Sequence, residues 1–311
     1  MPTDACPDFL APCSADEFRA RYLDREMLAL HRHDASHFSA MFGLADIDQL
    51  VTSVRIPATN LNLAMGDAPL PMEAYCAGGA YVDKAKVLEL HEQGATIILR
   101  SVEQWSGQLQ RLRIEAEEFF GCECQINAYL TPPGQKSTPP HWDTHDLVVM
   151  QIAGRKTWRL YQGQKSLPLG EERFQIERDA VSATHDDVLL EAGDTLYLPR
   201  GVIHEPVAES YSVHLSIGVN VIRWHDVLEL ALRLVAEQEG NALRTSIGPA
   251  GTSQAFPFED ALSQLAAPMT IARAVSLLRQ ETRTRKPADL EGRLLQFASA
   301  ATRAPLAAMA G

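Results

Sequence analysis

Long apolar runs are missing from this sequence: no stretch of its 311 residues approaches the roughly 20 apolar side chains that a membrane-spanning helix requires. The first residues carry Asp4 and Asp8 and no apolar segment, so no signal peptide is expected. Cysteine is scarce and poorly placed for pairing. Cys6, Cys13, Cys76, Cys122 and Cys124 are odd in number and irregular in spacing, and Cys122 and Cys124 lack the second pair that a zinc site needs. All five are read as reduced thiols, the usage of a cytoplasmic protein, with Cys122 and Cys124 as structural. Blocks of Lys and Arg are also absent. With 28 basic against 40 acidic residues the formal net charge is -12, which gives nucleic-acid binding no electrostatic support. An acidic surface keeps the chain soluble, and it also suits a basic partner such as a Lys/Arg-rich peptide.

What is present is ordinary globular composition, 46% hydrophobic and 22% charged, at a length that allows one large domain and a smaller one. Residues 15–31 have helical periodicity, with Ser14 and Glu17 forming a capping-box pattern. Further helix is expected within 37–52, 82–93 and 102–120, with short strands at 52–57, 60–64 and 95–100 and a Gly/Pro/Ala-rich loop over 66–80. From Cys122 the texture changes. Short β-rich runs at 124–130, 141–153, 156–161, 174–176, 187–190, 195–198 and 211–222 alternate with turn residues such as Pro132-Pro133-Gly134, Gly154 and Pro199-Arg200-Gly201. Many short strands at such spacing fit a jelly roll. After Trp224 the pattern returns to helix, at 225–240, 258–267, 270–285 and 288–301. The expected division is a helical segment over 1–50, a jelly-roll catalytic domain over 51–224 and a helical domain over 225–311.

The chemistry concentrates in Pro139-Pro140-His141-Trp142-Asp143-Thr144-His145-Asp146. If this run is a strand, residues two apart share a face, so His141 and Asp143 aim an imidazole and a carboxylate into one cavity. That is two-thirds of the 2-His-1-carboxylate triad of non-haem iron(II) oxygenases, which leaves coordination positions open. An H-x-D alone is weak evidence. The third member is sought in Gly193-Asp194-Thr195-Leu196-Tyr197-Leu198-Pro199-Arg200-Gly201-Val202-Ile203-His204, which reads as turn, strand, turn, histidine. His204 lies 63 positions after His141, a plausible return distance in a jelly roll.

These runs, together with Asn127-Ala128-Tyr129-Leu130-Thr131-Pro132-Pro133-Gly134 and Gly154-Arg155-Lys156-Thr157-Trp158-Arg159, resemble the ribosomal-oxygenase branch of the JmjC/cupin 2-oxoglutarate oxygenases. That branch hydroxylates Arg or His side chains of ribosomal proteins. The resemblance covers about residues 120–222. It implies a double-stranded β-helix flanked by helices, with iron(II) held by His141, Asp143 and His204 and 2-oxoglutarate as cosubstrate. It places Lys156 at the far carboxylate of 2-oxoglutarate, with Arg155 and Arg159 as competitors, and Asn127 and Tyr129 beside the cosubstrate. His214 is either a pocket-lining residue or a satisfied core histidine. His145 is expected in the pocket wall or near substrate, and His185-Asp186-Asp187 as a surface turn. The resemblance also implies a homodimer through the helices after Trp224. The 87 residues that follow Trp224 leave room for at most a reduced winged helix, which puts the inherited substrate in question. The expected activity is hydroxylation of an amino-acid side chain in a protein or peptide. The alternatives are an oxygenase of a free small molecule and a non-catalytic binding cupin.

Overall fold

Between Glu123 and Thr131 buried residues alternate with partly exposed ones. Cys124, Ile126, Ala128 and Leu130 face one way, and Gln125, Asn127, Tyr129 and Thr131 the other. This strand lies inside an eight-stranded antiparallel sheet, so it has an apolar side to cover and a polar side to enclose. The computed structural model describes residues 6–66, 68–76, 78–163, 165–175, 181–244 and 258–284.

The strands in chain order are β1 Leu28–Leu30, β2 Leu61–Met65, β3 Ala68–Pro69, β4 Thr96–Leu99, β5 Glu123–Thr131, β6 Asp146–Ala153, β7 Arg155–Tyr161, β8 His185–Glu191, β9 Thr195–Leu198, β10 Ile203–Ala208 and β11 Ser212–Asn220. The large sheet has the order β1-β9-β6-β11-β5-β4-β2-β3, and a smaller sheet has the order β10-β7-β8. The two face each other as a jelly roll. On the inner side, Leu147, Val149, Leu196 and Leu198 of the large sheet pack with Trp158, Leu160, Val188 and Leu190 of the small one. The outer side of the large sheet is equally apolar, with Ile126, Ala128, Ile217 and Val219 fully buried.

Helices precede and follow the strands: α1 Ala15–Glu17, α2 Leu44–Ser53, α3 Lys84–Glu92, α4 Gly107–Phe120, α5 Trp224–Ala236, α6 Phe258–Ala266 and α7 Pro268–Thr284. In α4 the buried residues Leu109, Leu112, Ala116 and Phe119 recur at helical spacing. Ser106 caps its start by accepting from the Leu109 N–H, and Gly121 ends it in the left-handed conformation. Phe18 joins this layer, 4.8 Å from the Tyr197 ring and 5.7 Å from the Phe119 ring. Each such buried aromatic contributes about 1.5–3 kcal/mol through removal of apolar area from water.

Two compact units result, residues 1–221 and 222–311. In the second, Val227 and Ala231 of α5 and Ala274 of α7 are buried among Leu230, Leu234, Leu265, Ile271 and Leu278. The apolar faces of α5, α6 and α7 thus pack on one another. The expected helix over 288–301 lies outside the described residues.

Several local expectations are corrected. Ser14 caps as read, accepting from the Glu17 N–H, but α1 and the wider turn that follows it stop at Tyr22. Leu28–Leu30 is a strand paired with β9 and not the end of a helix. Residues 52 and 53 close α2, and 54–57 form no strand. Residues 174 and 175 form none either, and 176 lies outside the described residues. His185-Asp186-Asp187 opens β8, paired with Tyr161, Leu160 and Arg159; it is exposed because β8 is a sheet edge. β10 was not anticipated, since it contains Pro206, which has no N–H to donate; it too is an edge.

Glycine is required at two places near the site. Gly154, at φ +69°, turns β6 into β7, and a Cβ there would lie 1.8 Å from the Tyr211 carbonyl oxygen. Gly201, at φ +87°, would put a Cβ 1.8 Å from the Lys165 carbonyl oxygen.

Candidate metal centre

His141, Asp143 and His204 converge, with one potential ligand atom from each all within 4.8 Å of one another. No other such group of three occurs among the described residues. The route to this convergence differs from strand alternation. β6 begins only at Asp146, so His141 and Asp143 sit in the connection from β5. Pro139 and Pro140 lack the N–H groups a ladder needs. His141 instead makes one isolated bridge with His204: its N–H donates to the His204 carbonyl at 3.2 Å, and its carbonyl accepts from the His204 N–H at 2.8 Å. The Asp143 carbonyl accepts from the Gly201 N–H at 3.0 Å. The two ligand-bearing segments are thus tied backbone to backbone.

The donor set fits a divalent transition metal. Nδ1 of His141 lies 2.9 Å from the Pro139 carbonyl, and Nδ1 of His204 lies 3.0 Å from that of Val202. A carbonyl only accepts, so both Nδ1 atoms carry the proton and both Nε2 lone pairs are free to coordinate. Those Nε2 atoms lie 3.9 and 3.7 Å from the Asp143 carboxylate. Burial alone would raise the Asp143 carboxyl, but His141, His145 and His204 around it bring it below the usual range. Burial, then the neighbouring His141, pushes His204 down to about 4. At neutral pH the set is therefore one carboxylate with His204 neutral, the protonation state a metal demands.

Beside the triad lies a fully buried cation. Lys156 on β7 donates to the Thr131 hydroxyl at 2.8 Å and sits 3.3 Å from Nδ1 of His214. No carboxylate of the described residues pairs with it, and burial alone pushes it down to about 7. His214 stacks on Tyr129 with ring centroids 4.6 Å apart, and Trp158 lies 5.5 Å from His214 and 5.6 Å from His204. Burial, then the charge of Lys156, holds His214 well below its ordinary range. Burial, then the Asp143 charge, pushes Tyr129 up to about 12. An amine without an anion, a hydroxyl and two aromatic walls next to a metal triad form a receptacle for a small carboxylate ligand.

The other residues read from sequence separate cleanly. Asn127 lies on the same inner face opposite Ser216, its side-chain oxygen accepting from the Ser101 N–H and from Gln125. Arg155 points outward to Glu209 and Glu191, and Arg159 to Glu205, so neither reaches the inner pocket. His145 stands with Nε2 4.0 Å from the Asp143 carboxylate, against Gly218, where a Cβ would come within 3.0 Å of its ring. Thr131 and Trp158 were missed as pocket residues. The period-two continuation from Asn127 and Tyr129 to Thr131, and from Lys156 to Trp158, was the available signal.

With this geometry in place, residues 102–227 match the family model of the JmjC domain. That stretch is a JmjC domain. Over 232 residues it is 28% identical to Ribosomal oxygenase 2 of Rattus norvegicus, covering 70% of this chain and 47% of that one. Over 224 residues it is 26% identical to the Bifunctional lysine-specific demethylase and histidyl-hydroxylase NO66 of Aedes aegypti, covering 70% and 35%. The chain therefore spans about half or less of the length of these relatives. The X-ray structure of E. coli ycfD shares the fold, with a TM-score of 0.52 at 18% identity over 83% of this chain and 69% of that one. Among the described residues no helix is long and apolar enough to cross a membrane.

Proposed function

We propose that this JmjC protein is an iron(II)- and 2-oxoglutarate-dependent hydroxylase of an amino-acid side chain in a protein or peptide. The observation that carries the reading is the pairing of the His141/Asp143/His204 triad with Lys156, a buried cation that lacks an anion. A metal triad alone would suit many cupins; the amine beside it calls for an anionic ligand reaching in from the metal. A structure of ycfD, a ribosomal oxygenase from E. coli with TM-score 0.50 and 17% identity, is described in complex with cobalt and 2-oxoglutarate. The relatives' names, ribosomal oxygenase and histidyl-hydroxylase, support a protein side chain as substrate.

In this reading Nε2 of His141, Nε2 of His204 and the Asp143 carboxylate hold iron(II). Lys156 and Thr131 take the far carboxylate of 2-oxoglutarate, with Tyr129, His214 and Asn127 lining its pocket. Bound iron, with 2-oxoglutarate and dioxygen, supplies oxidation of a substrate C–H to an alcohol with release of succinate and carbon dioxide. The chain's own residues do the rest. The carbonyls of Pro139 and Val202 hold each ligand imidazole in the coordinating tautomer. The apolar layer of Trp158, Leu160, Val149 and Leu190 keeps water from reaching the pocket from behind. The charge of -12 favours approach of a basic protein or peptide.

A homodimer belongs to the same proposal. On α5 the exposed Trp224, Leu228 and Leu232 recur every four residues, beside the buried stripe of Val227, Ala231 and Val235. Light scattering at micromolar concentration tests it, and a monomer would remove it. The activity is tested by incubating the iron-loaded protein and 2-oxoglutarate with a ribosomal-protein extract or with a panel of free amino acids and metabolites. The expected result is succinate and a protein mass increase of about 16 Da (one oxygen atom) in the first arm. Product only from the small molecules would favour a small-molecule oxygenase, and no succinate in either arm a binding cupin.

A further inference from the structure

The ligand-bearing backbone is weakly laddered. Residues 132–145, which carry His141 and Asp143, contain no strand, and they meet β10 at two isolated points, Lys136 with Val207 and His141 with His204. Between those points Pro139 and Pro140 offer no N–H, and on the facing strand neither does Pro206. β10 is also a sheet edge, so this segment is its neighbour on that side. Main-chain hydrogen bonds alone thus leave the stretch between the two points unfastened.

A side-chain cluster spans the gap. Glu205 follows His204 on β10 and so points to the opposite, outer face, yet it is only 2% exposed. Its Oε1 accepts from Nζ of Lys136 at 2.5 Å, and its Oε2 accepts from Arg159 and from the Tyr161 hydroxyl, each at 3.0 Å. Arg159 is also its direct cross-strand partner on β7. Lys136 is fixed in turn, since its carbonyl accepts from the Thr96 hydroxyl at 3.0 Å. Burial works against the charged carboxyl, but the three donors hold it below the usual glutamate range.

We propose that Glu205 is a positioning residue of the metal centre: through Lys136, Arg159 and Tyr161 it latches the His141-bearing segment and β7 onto the strand that carries His204, and so sets the separation of the two imidazoles. Glu205 reaches neither metal nor substrate and acts only through His204 and His141. The inference rests on the metal-binding reading of the triad.

The test uses the full-length protein and Co(II), read by titration and by the visible absorption of the bound ion, with circular dichroism as the check on folding. Glu205→Gln and Lys136→Met should each weaken Co(II) binding by about tenfold or more, the range seen when groups supporting a metal ligand are removed, and should alter the absorption band. The double variant should lose no more than Glu205→Gln alone, because the Lys136 amine acts through Glu205. Glu209→Gln is the control. Glu209 lies on the same outer face, held by Thr157 at 2.6 Å and Arg155 at 3.1 Å, and touches neither ligand-bearing segment. It should leave affinity and spectrum unchanged. Wild-type affinity and spectrum in folded Glu205→Gln and Lys136→Met, or an equal loss in Glu209→Gln, would overturn the latch. If the wild-type chain takes up no Co(II), the metal reading itself fails and the latch with it.

Discussion

Two of the cations buried in the first unit, Arg200 and Lys156, differ in what faces them. Arg200 is 7% exposed and lies between carboxylates: Asp146, fully buried, at 3.1 Å, and Asp24 on the other side. The Tyr197 hydroxyl completes the cluster by donating to Asp146 at 2.8 Å. Lys156 is fully buried but faces a hydroxyl and an imidazole. Desolvating a charge is costly in both places, and only the first is repaid within the chain. A buried charge met by its opposite is scaffold. A buried charge that lacks its opposite is tolerated where a ligand supplies it.

That contrast can be broken in several ways. The most severe expected loss is at the triad. Asp143→Ala should abolish metal uptake and succinate formation while leaving the circular dichroism spectrum unchanged, because it removes a ligand that carries little of the core; retained Co(II) binding and turnover would sink the assignment. On the scaffold side, Asp146→Ala strands Arg200 and the Tyr197 hydroxyl. A broken buried pair of this kind costs about 3–5 kcal/mol, to be read as a shift in denaturant midpoint. A midpoint equal to wild type would show that Asp24 alone suffices for Arg200.

Lys156→Met should move in the other direction. It removes an unpaired charge and keeps the volume, so the ligand-free protein should melt at a higher temperature. Its affinity for 2-oxoglutarate should fall by roughly 100-fold, equivalent to about 3 kcal/mol. Loss of affinity instead in Arg155→Ala or Arg159→Ala would move the role to the outer face.

The smallest effect is with pH. Burial holds the Lys156 ammonium at about 7, against roughly 10.4 in an unfolded chain. Between those values the unfolded state binds more protons, so this residue makes the ligand-free fold more stable as pH rises through the window, with the full penalty present below it. Binding of a dicarboxylate has the opposite dependence because it needs the charged amine. Calorimetry in buffers of different ionisation enthalpy should show uptake of about one proton near pH ~8.5 and little near pH ~6. Equal uptake at both would mean that Lys156 is already charged in the empty pocket.

Much of this was legible in the sequence. The short β-rich runs from 124–130 onward, the Gly154 turn and the change of texture after Cys122 announced a jelly roll, since strand propensity and turn chemistry are local properties. The site was legible as residue types: an H-x-D, a distant histidine and a lysine two residues before a tryptophan. The errors have a common cause. Leu28–Leu30 looked helical and β10 went unread, because an edge strand takes its structure from a neighbour and not from its own composition. The grouping of His141 with Asp143 was right while its stated reason failed: they lie in a proline-rich connection, not on alternating strand positions.

The β-rich texture after Cys122, its turn residues and the three residue types that suit a divalent metal were determined by the sequence alone, because local propensity and ligand chemistry are carried by single positions. The tertiary structure alone decided which charges meet. Arg155, Lys156 and Arg159 are alike as sequence, yet two find glutamates on the outer face and one is sealed inside without an anion. Whether a buried charge is paired depends on groups brought together from distant strands, and that pairing separates the scaffold from the site.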